Sequence, residues 1–342
     1  MKVHGILRNS YQGARVLVTG GMGFIGSNLV IALVREGARV TVVDSQVPGC
    51  GANPANLDPV REQIELCTDD MENVASMQQL IPRQEIIFNL AGEISHINSI
   101  TNPPRDLAIN CTAQLQFLDL CRTLNPGATI VYASSRQIYG RPKYLPVDED
   151  HPVNPADYNG VHKFAAEQYH FLLRRQFHMR TLCLRLGNVY GPRQAIEQDC
   201  RGFIDAFVRI ALEGNRIVVF GDGKQLRGML YVEDAVAAFL RTGLAGPGAA
   251  PVYNVGNPKP VPLFEIARVL SEIAGAPPPQ LKPFPADRLA IDIGDFYQNT
   301  EKIRRDFGWI PRVDLQGGLE RTVQFFRARK RRTLDADPHS VS

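Results

Sequence analysis

No CxxC pair occurs among the six cysteines, which stand at 50, 67, 111, 121, 183 and 200 with no histidine at metal-ligand spacing beside them. That scatter argues against a metal site and a disulfide framework and fits reduced thiols in a cytoplasmic protein. No window approaches the ~20 consecutive apolar residues of a membrane span. Residues 1–13 mix Lys, His, Arg and Asn in place of an apolar signal core, so neither export nor membrane insertion is expected. Neither sign of charge prevails: 38 Lys and Arg against 35 Asp and Glu leave a net +3, which is too balanced for a nucleic-acid-binding surface. The dense basic run at 327–332 reads as a solvated helix end. What remains is ordinary globular usage, 44% hydrophobic and 21% charged over 342 residues, enough for two domains or one enlarged α/β domain.

From residue 15 short apolar runs alternate with longer helical stretches. Strands are expected at 15–19, 39–44, 64–67, 85–91, 129–134 and 181–186, and helices at 27–36, 76–81, 104–124 and 159–177. Such alternation implies a doubly wound α/β fold, a parallel sheet covered on both faces. After Gly187 loops lengthen and prolines cluster at 247–262 and 277–285, with helices expected at 204–213, 232–241, 263–274, 300–307 and 317–330. The expected organisation is a dinucleotide-binding domain over 14–187, rejoined by 229–257. A smaller α/β substrate lobe follows from 188–228 and 258–330, with a tail at 331–342.

The first strand runs into VTGGMGFIGSNLV, which places Gly20, Gly23 and Gly26 in a turn before the helix expected at 27–36, with Phe24 and Ile25 in that turn as further cofactor-binding candidates. Glycines in this pattern allow a tight turn, bring backbone N–H groups against a diphosphate, and let helix and strand pack closely. The positive end of the helix then faces the anion. Asp44 follows Gly26 by 18 residues, at the end of the second strand. A carboxylate there accepts hydrogen bonds from ribose hydroxyls and repels a 2′-phosphate, so NAD is expected rather than NADP. Asp70 and Met71 follow the third strand and are candidates to flank the adenine. Leu90, Ala91 and Gly92 end the fourth strand, where backbone must approach the cofactor, and Asn110 is placed to tie that strand end down.

With these motifs, and with YASSRQIYG, a helix containing Lys163 and Glu167, LRLGNVYGP, FGDGKQLRGMLYVEDAV and DFGWIP, the chain resembles the extended short-chain dehydrogenase/reductase family over residues 15–326. The similarity is to its nucleotide-sugar epimerases and dehydratases. It implies that NAD stays bound, oxidises a sugar hydroxyl to a ketone and often takes part in returning the hydride. It also implies that Ser135 fixes the reacting hydroxyl and that Lys163 holds the nicotinamide ribose. Asn188 and Arg227, with Arg288 as a weaker match, would hold the nucleotide diphosphate. A homodimer through the helices at 104–124 and 159–177 is implied as well.

One position departs from the family. Four residues before Lys163, where the family has a tyrosine base, stands Asn159, which has no ionisable oxygen. Tyr158 is adjacent, but one helical step turns a side chain by ~100°. Three readings stand side by side. An irregular helix start could bring Tyr158 inward. Another group could serve as base, with Glu93 the first candidate and His96, Tyr190 and His162 behind it. Or the chain binds its ligands and catalyses poorly. A second departure concerns the Asp-Glu pair with which family dehydratases eliminate water. Arg136 and Gln137 occupy those places, which disfavours elimination and allows Arg136 to meet a carboxylate or phosphate. Gly228 replaces a frequent family aspartate after Arg227. An epimerase acting through a transient keto sugar is the expectation; a net oxidoreductase, decarboxylase or dehydratase and a non-catalytic binding protein are the rivals.

Overall fold

A computed structural model describes residues 10–196, 202–284 and 293–336, with the side chains of 96, 97 and 332–336 excepted. The first half alternates β1 (Arg15–Thr19), α1 (Phe24–Arg35), β2 (Arg39–Val43), β3 (Ile64–Cys67), α2 (Val74–Leu80) and β4 (Ile86–Asn89). It continues through α3 (His96–Thr101), α4 (Pro103–Leu107), α5 (Ala113–Leu124), β5 (Thr129–Ser135), α6 (Tyr158–Phe177) and β6 (Arg180–Leu186). After β7 (Asn188–Tyr190) come α7 (Phe203–Leu212), β8 (Val218–Phe220), β9 (Leu226–Arg227), β10 (Met229–Tyr231), α8 (Val232–Gly243) and β11 (Val252–Val255). β12 (Val261–Pro262), α9 (Leu263–Ala274), β13 (Gln280–Lys282) and the helices Glu301–Phe307 and Leu315–Ala336 complete the described chain.

Seven strands form one sheet in the order β3-β2-β1-β4-β5-β6-β11, every pairing parallel. Because strand residues alternate faces, β1 divides its side chains between two cores. Val16 and Val18 join Val40, Val42 and Phe88 on the side covered by α1 and α8, where Phe88 meets Phe239 edge to face at 6.1 Å. Leu17, Ile87 and Ile130 face the other side with Met77, Phe117 and Leu118 of α2 and α5. Such double coverage is why these strands read as continuous apolar runs. The C-terminal helices extend the first core through Ile266, Leu270, Leu319 and Val323, and Trp309 locks against α8 by donating to the Asp234 carbonyl at 2.9 Å. No described helix is long and apolar enough to cross a membrane.

Two expectations change. The single helix expected at 104–124 is interrupted by a π turn, Ala108–Thr112. The wider turn rotates Asn110 fully inside, where its Oδ1 accepts the Glu93 N–H at 3.1 Å. The loop after β2 carries an unforeseen 3₁₀ helix, Pro54–Gln63, capped by Asn53.

Helix α6 is held to the sheet by a buried charge pair. Glu167 lies fully buried; it accepts from Arg185 of β6 at 2.9 Å and from Ser134 of β5. Arg185 also donates to the Tyr139 hydroxyl at 2.9 Å, which in turn donates to Asn254 of β11 at 2.7 Å. Removing one partner of such a pair leaves a buried charge uncompensated. Glu167→Ala is therefore expected to cost about 3–5 kcal/mol in urea unfolding, with Glu167→Gln costing less because it keeps hydrogen bonds to its neighbours.

Candidate active site

The glycine turn sits at the carboxyl edge of the sheet and has no room for side chains. Gly20 adopts φ +67°, and a β-carbon there would lie 2.8 Å from Ala91 N; one on Gly26 would lie 2.1 Å from the Gly20 carbonyl oxygen. Gly23 caps α1 without any side-chain hydrogen bond, and no acidic residue occupies the first turn. The leading amides at Phe24, Ile25 and Gly26 are thereby left to an anion. Asp44 steadies the turn: its carboxylate accepts from Met22 N at 2.8 Å and from Gln46 N at 3.0 Å. Burial raises its pKa against the pull of these two amides.

Around this turn opens a cleft, about 700 Å³ with the solvent at its mouth included, lined by Gly20, Gly23, Asp44, Asp70, Met71, Leu90, Ala91 and Gly92. Ser45 and Cys50 also line it. Its inner wall is pinned from two sides. Thr19 Oγ1 accepts from Leu90 N at 3.1 Å and Ala91 N at 3.2 Å, while Gln114 donates to the Ala91 carbonyl at 3.0 Å. A cradle that excludes a β-carbon, an uncapped helix start and a fixed carboxylate fit the diphosphate and ribose of a dinucleotide.

Beyond Gly92 lies Lys163, which is 3% exposed. Its ammonium rests so close over Gly92 that a β-carbon there would come within 2.5 Å of Nζ, and it lies 5.5 Å from the Tyr132 ring centroid. Burial pushes its pKa down to about 8 against the attraction of Asp106, Glu93 and Cys50. Asn159, fully buried, is a cross-link. Its Nδ2 donates to the Glu93 carbonyl and to Asp106 Oδ2, both at 2.9 Å, and Asp106 Oδ1 pairs with His162 Nδ1 at 2.7 Å. Asn159 Oδ1 and Asn110 Nδ2 are buried without a protein partner, positions that a ligand hydroxyl or water satisfies.

The alternatives for the missing tyrosine separate clearly. Tyr158 does not turn inward: Asp157 caps a regular helix start, and the tyrosine is 50% exposed with its ring over His162. The Glu93 carboxylate already accepts from Ile94 N, Ser95 N and the Cys50 thiol, so it shapes the loop into α3. Tyr190 is buried against Tyr231, and His162 is committed to Asp106 through Nδ1. The side chain of His96 lies outside the described residues, as do Arg288 and Cys200. Nothing local in the sequence marks Asp106 as buried, or Cys50 as half-buried, near Lys163.

At the end of β5 Ser135 Oγ accepts from Gln137 N at 3.2 Å and donates to Gln137 Oε1 at 3.1 Å. Arg136 donates from Nε to Asn188 Oδ1 at 3.0 Å and stacks 5.1 Å from the Phe296 ring centroid. Arg227 is held by the carbonyls of Leu226 and Gly294 at 2.9 and 2.6 Å. A side chain at Gly228 would strike the Asn257 carbonyl at 2.4 Å, which explains why no aspartate stands there.

A parallel α/β sheet with a dinucleotide cleft at its carboxyl edge and a buried lysine beside it defines a nicotinamide-dependent enzyme. The model of the NAD dependent epimerase/dehydratase family matches residues 16–256, and the chain belongs to that family; NAD is its cofactor. The UDP-glucose 4-epimerase of Mycolicibacterium smegmatis is 32% identical over 322 residues, 92% of this chain and 98% of that protein. UDP-glucuronic acid decarboxylase 1 of Xenopus tropicalis is 29% identical over 324 residues, 92% and 72% of the two chains. The crystal structure of the Thermotoga maritima UDP-glucose 4-epimerase with UDP-glucose superposes with a TM-score of 0.83 at 30% identity, covering 92% of this chain and 99% of that one.

The two donor contacts of Asn159 make a specific demand on stability. Asn159→Ala leaves Asp106 and the Glu93 carbonyl each one donor short, and is expected to cost about 1–3 kcal/mol by chemical denaturation.

Proposed function

We propose that this enzyme epimerises a nucleoside-diphosphate sugar through a transient keto sugar, as a cytoplasmic homodimer serving carbohydrate biosynthesis. The observation that carries the proposal is the placement of the Lys163 amine against Gly92, a residue that lines the dinucleotide cleft, with no acid–base pair after Ser135. The named activities of the relatives, all on nucleotide sugars, support the substrate class. Gly20, Gly23, Gly26, the leading amides of α1, Asp44, Asp70, Met71, Leu90, Ala91, Gly92 and Asn110 would hold NAD. When bound, NAD supplies the hydride acceptor. Asn188 and Arg227 anchor the diphosphate, and Ser135 turns its hydroxyl from Gln137 to the reacting sugar oxygen. Lys163, in its neutral form, accepts the hydroxyl proton at Nζ and later returns it; this gives the lysine the work that a tyrosine at position 159 would do.

A base acts only when deprotonated. Activity is therefore expected above the Lys163 pKa of about 8 and should fall about tenfold per pH unit below it. Interconversion of UDP-glucose and UDP-galactose, followed by chromatography without net change in the reduced-nicotinamide absorbance band, tests the reaction class. Lys163→Arg, permanently protonated, should retain NAD binding and lose turnover. Lys163→Met should lose turnover yet gain up to about 3 kcal/mol of stability at neutral pH, because it removes an ammonium that burial disfavours. A pH profile flat across this range would refute lysine as the base. Asn159 favours a second reading, binding without turnover; it holds if nucleotide sugars bind, none is converted, and Ser135→Ala changes affinity alone.

The dimer rests on an apolar surface along α3 to α6, where Ile100, Leu107, Leu115, Tyr158, Val161 and Leu172 are exposed. Patches of this kind mark association surfaces. Light scattering should report a dimer for the native chain and a monomer for Leu115→Glu. The five described cysteines, all free, support the cytoplasmic assignment.

A further inference from the structure

Two guanidinium groups gather beside the end of β5. Arg136 and Arg227 approach through Phe296: Arg227 forms a parallel backbone bridge with it, and Arg136 stacks its guanidinium on the ring. Burial and the repulsion of Arg227 push the Arg136 pKa down to about 10. No acidic side chain among the described residues forms an ion pair with Arg136. Asp157 attracts it from beyond contact while its Oδ1 caps α6 at Gly160 N, 2.7 Å. Only Nε of Arg136 is used, on Asn188 Oδ1. Nη1 and Nη2 therefore remain as an open fork, and the Asn188 Nδ2 next to it is buried without a partner.

We propose that Arg136 is a specificity residue that grips a carboxylate carried by the sugar itself, so that the preferred substrate is a nucleoside-diphosphate uronate. The inference rests on the nucleotide-sugar reading above. Two parallel N–H groups match a planar carboxylate, and a guanidinium makes this contact where a neutral hydroxymethyl group would leave it unpaired. Arg136 follows Ser135 directly, with Cα atoms ~3.8 Å apart, which sets it beside the reacting sugar ring. Asn188 and Arg227 approach from β7 and β9 and are assigned to the diphosphate. The carboxylate therefore fits the placement of Arg136 better than a phosphate does, though the two share the same anion chemistry.

Calorimetry on the NAD-loaded protein with UDP, UDP-glucose and UDP-glucuronate separates the sources. The native chain should bind UDP-glucuronate at least about tenfold tighter than UDP-glucose, since hydrogen bonds to a charged group contribute roughly 1.5–3 kcal/mol. Arg136→Gln should erase that preference and leave UDP affinity within about threefold, the latter also showing that the variant is folded. Equal native affinities for the two sugars would overturn the inference. So would a variant weakened alike toward all three ligands, which would assign Arg136 to the diphosphate. If none of the three binds while NAD does, the nucleotide-sugar reading falls and the inference with it.

Discussion

The carboxylate of Glu167, buried between helix and sheet, sets the orientation on which the rest of the site depends. A buried carboxylate is tolerated only with full hydrogen bonding, and its partners come from two strands, Ser134 of β5 and Arg185 of β6. That requirement fixes the rotation of α6 about its own axis. Once Glu167 faces the sheet, helical geometry turns Lys163, one turn earlier, toward the ends of β4 and β5 and brings Asn159 beneath the loop after β4. The lysine is thus aimed by a contact that takes no part in the chemistry. Arg185 ties the same cluster to Tyr139 and β11, so the last strand of the sheet is joined to the helix that bears the site.

Around Lys163 the protein balances opposing effects. Burial disfavours its ammonium, while Asp106, Glu93 and Cys50 favour it. The first effect is the larger, which leaves an amine that exchanges its proton around pH 8. Asn159 contributes by what its amide holds. By donating to both Asp106 and the Glu93 backbone it keeps Asp106 engaged with His162, so that carboxylate forms no ion pair with the lysine. An acidic residue free to pair directly would raise the lysine pKa out of useful range.

Much of this was legible in the sequence because it is local. Apolar runs of four to seven residues reported strands buried on both faces, and the glycine spacing reported a turn whose φ and close contacts no other residue meets. The Asn159 departure was visible as a broken spacing before Lys163. What remained hidden depends on contacts between distant residues. Asp106 meets Asn159 across 53 positions, and Cys50 meets Glu93 across 43. A surface aspartate near a helix start and a loop cysteine read the same in sequence whether exposed or buried. The π turn at Ala108–Thr112 had only Asn110 as a sign, and an asparagine inside a helical stretch is equally compatible with solvent.

The residues after Ser135 bear on which reaction follows oxidation. Eliminating water from the sugar requires one group that removes a proton and another that delivers one to the departing oxygen. Gln137 does neither, and its amide is spent on Ser135 Oγ. Arg136 is positively charged, and even with its pKa pushed down to about 10 it holds its proton too tightly to act as the acid near neutral pH. What an arginine does well is fix an anion in place. In the proposed reaction a keto sugar formed beside it would be oriented without being offered a route to elimination. With Lys163 as the sole proton carrier in the proposed site, the simplest completion is return of hydride and proton to the centre they left, and inversion there requires only that the ketone present its other face.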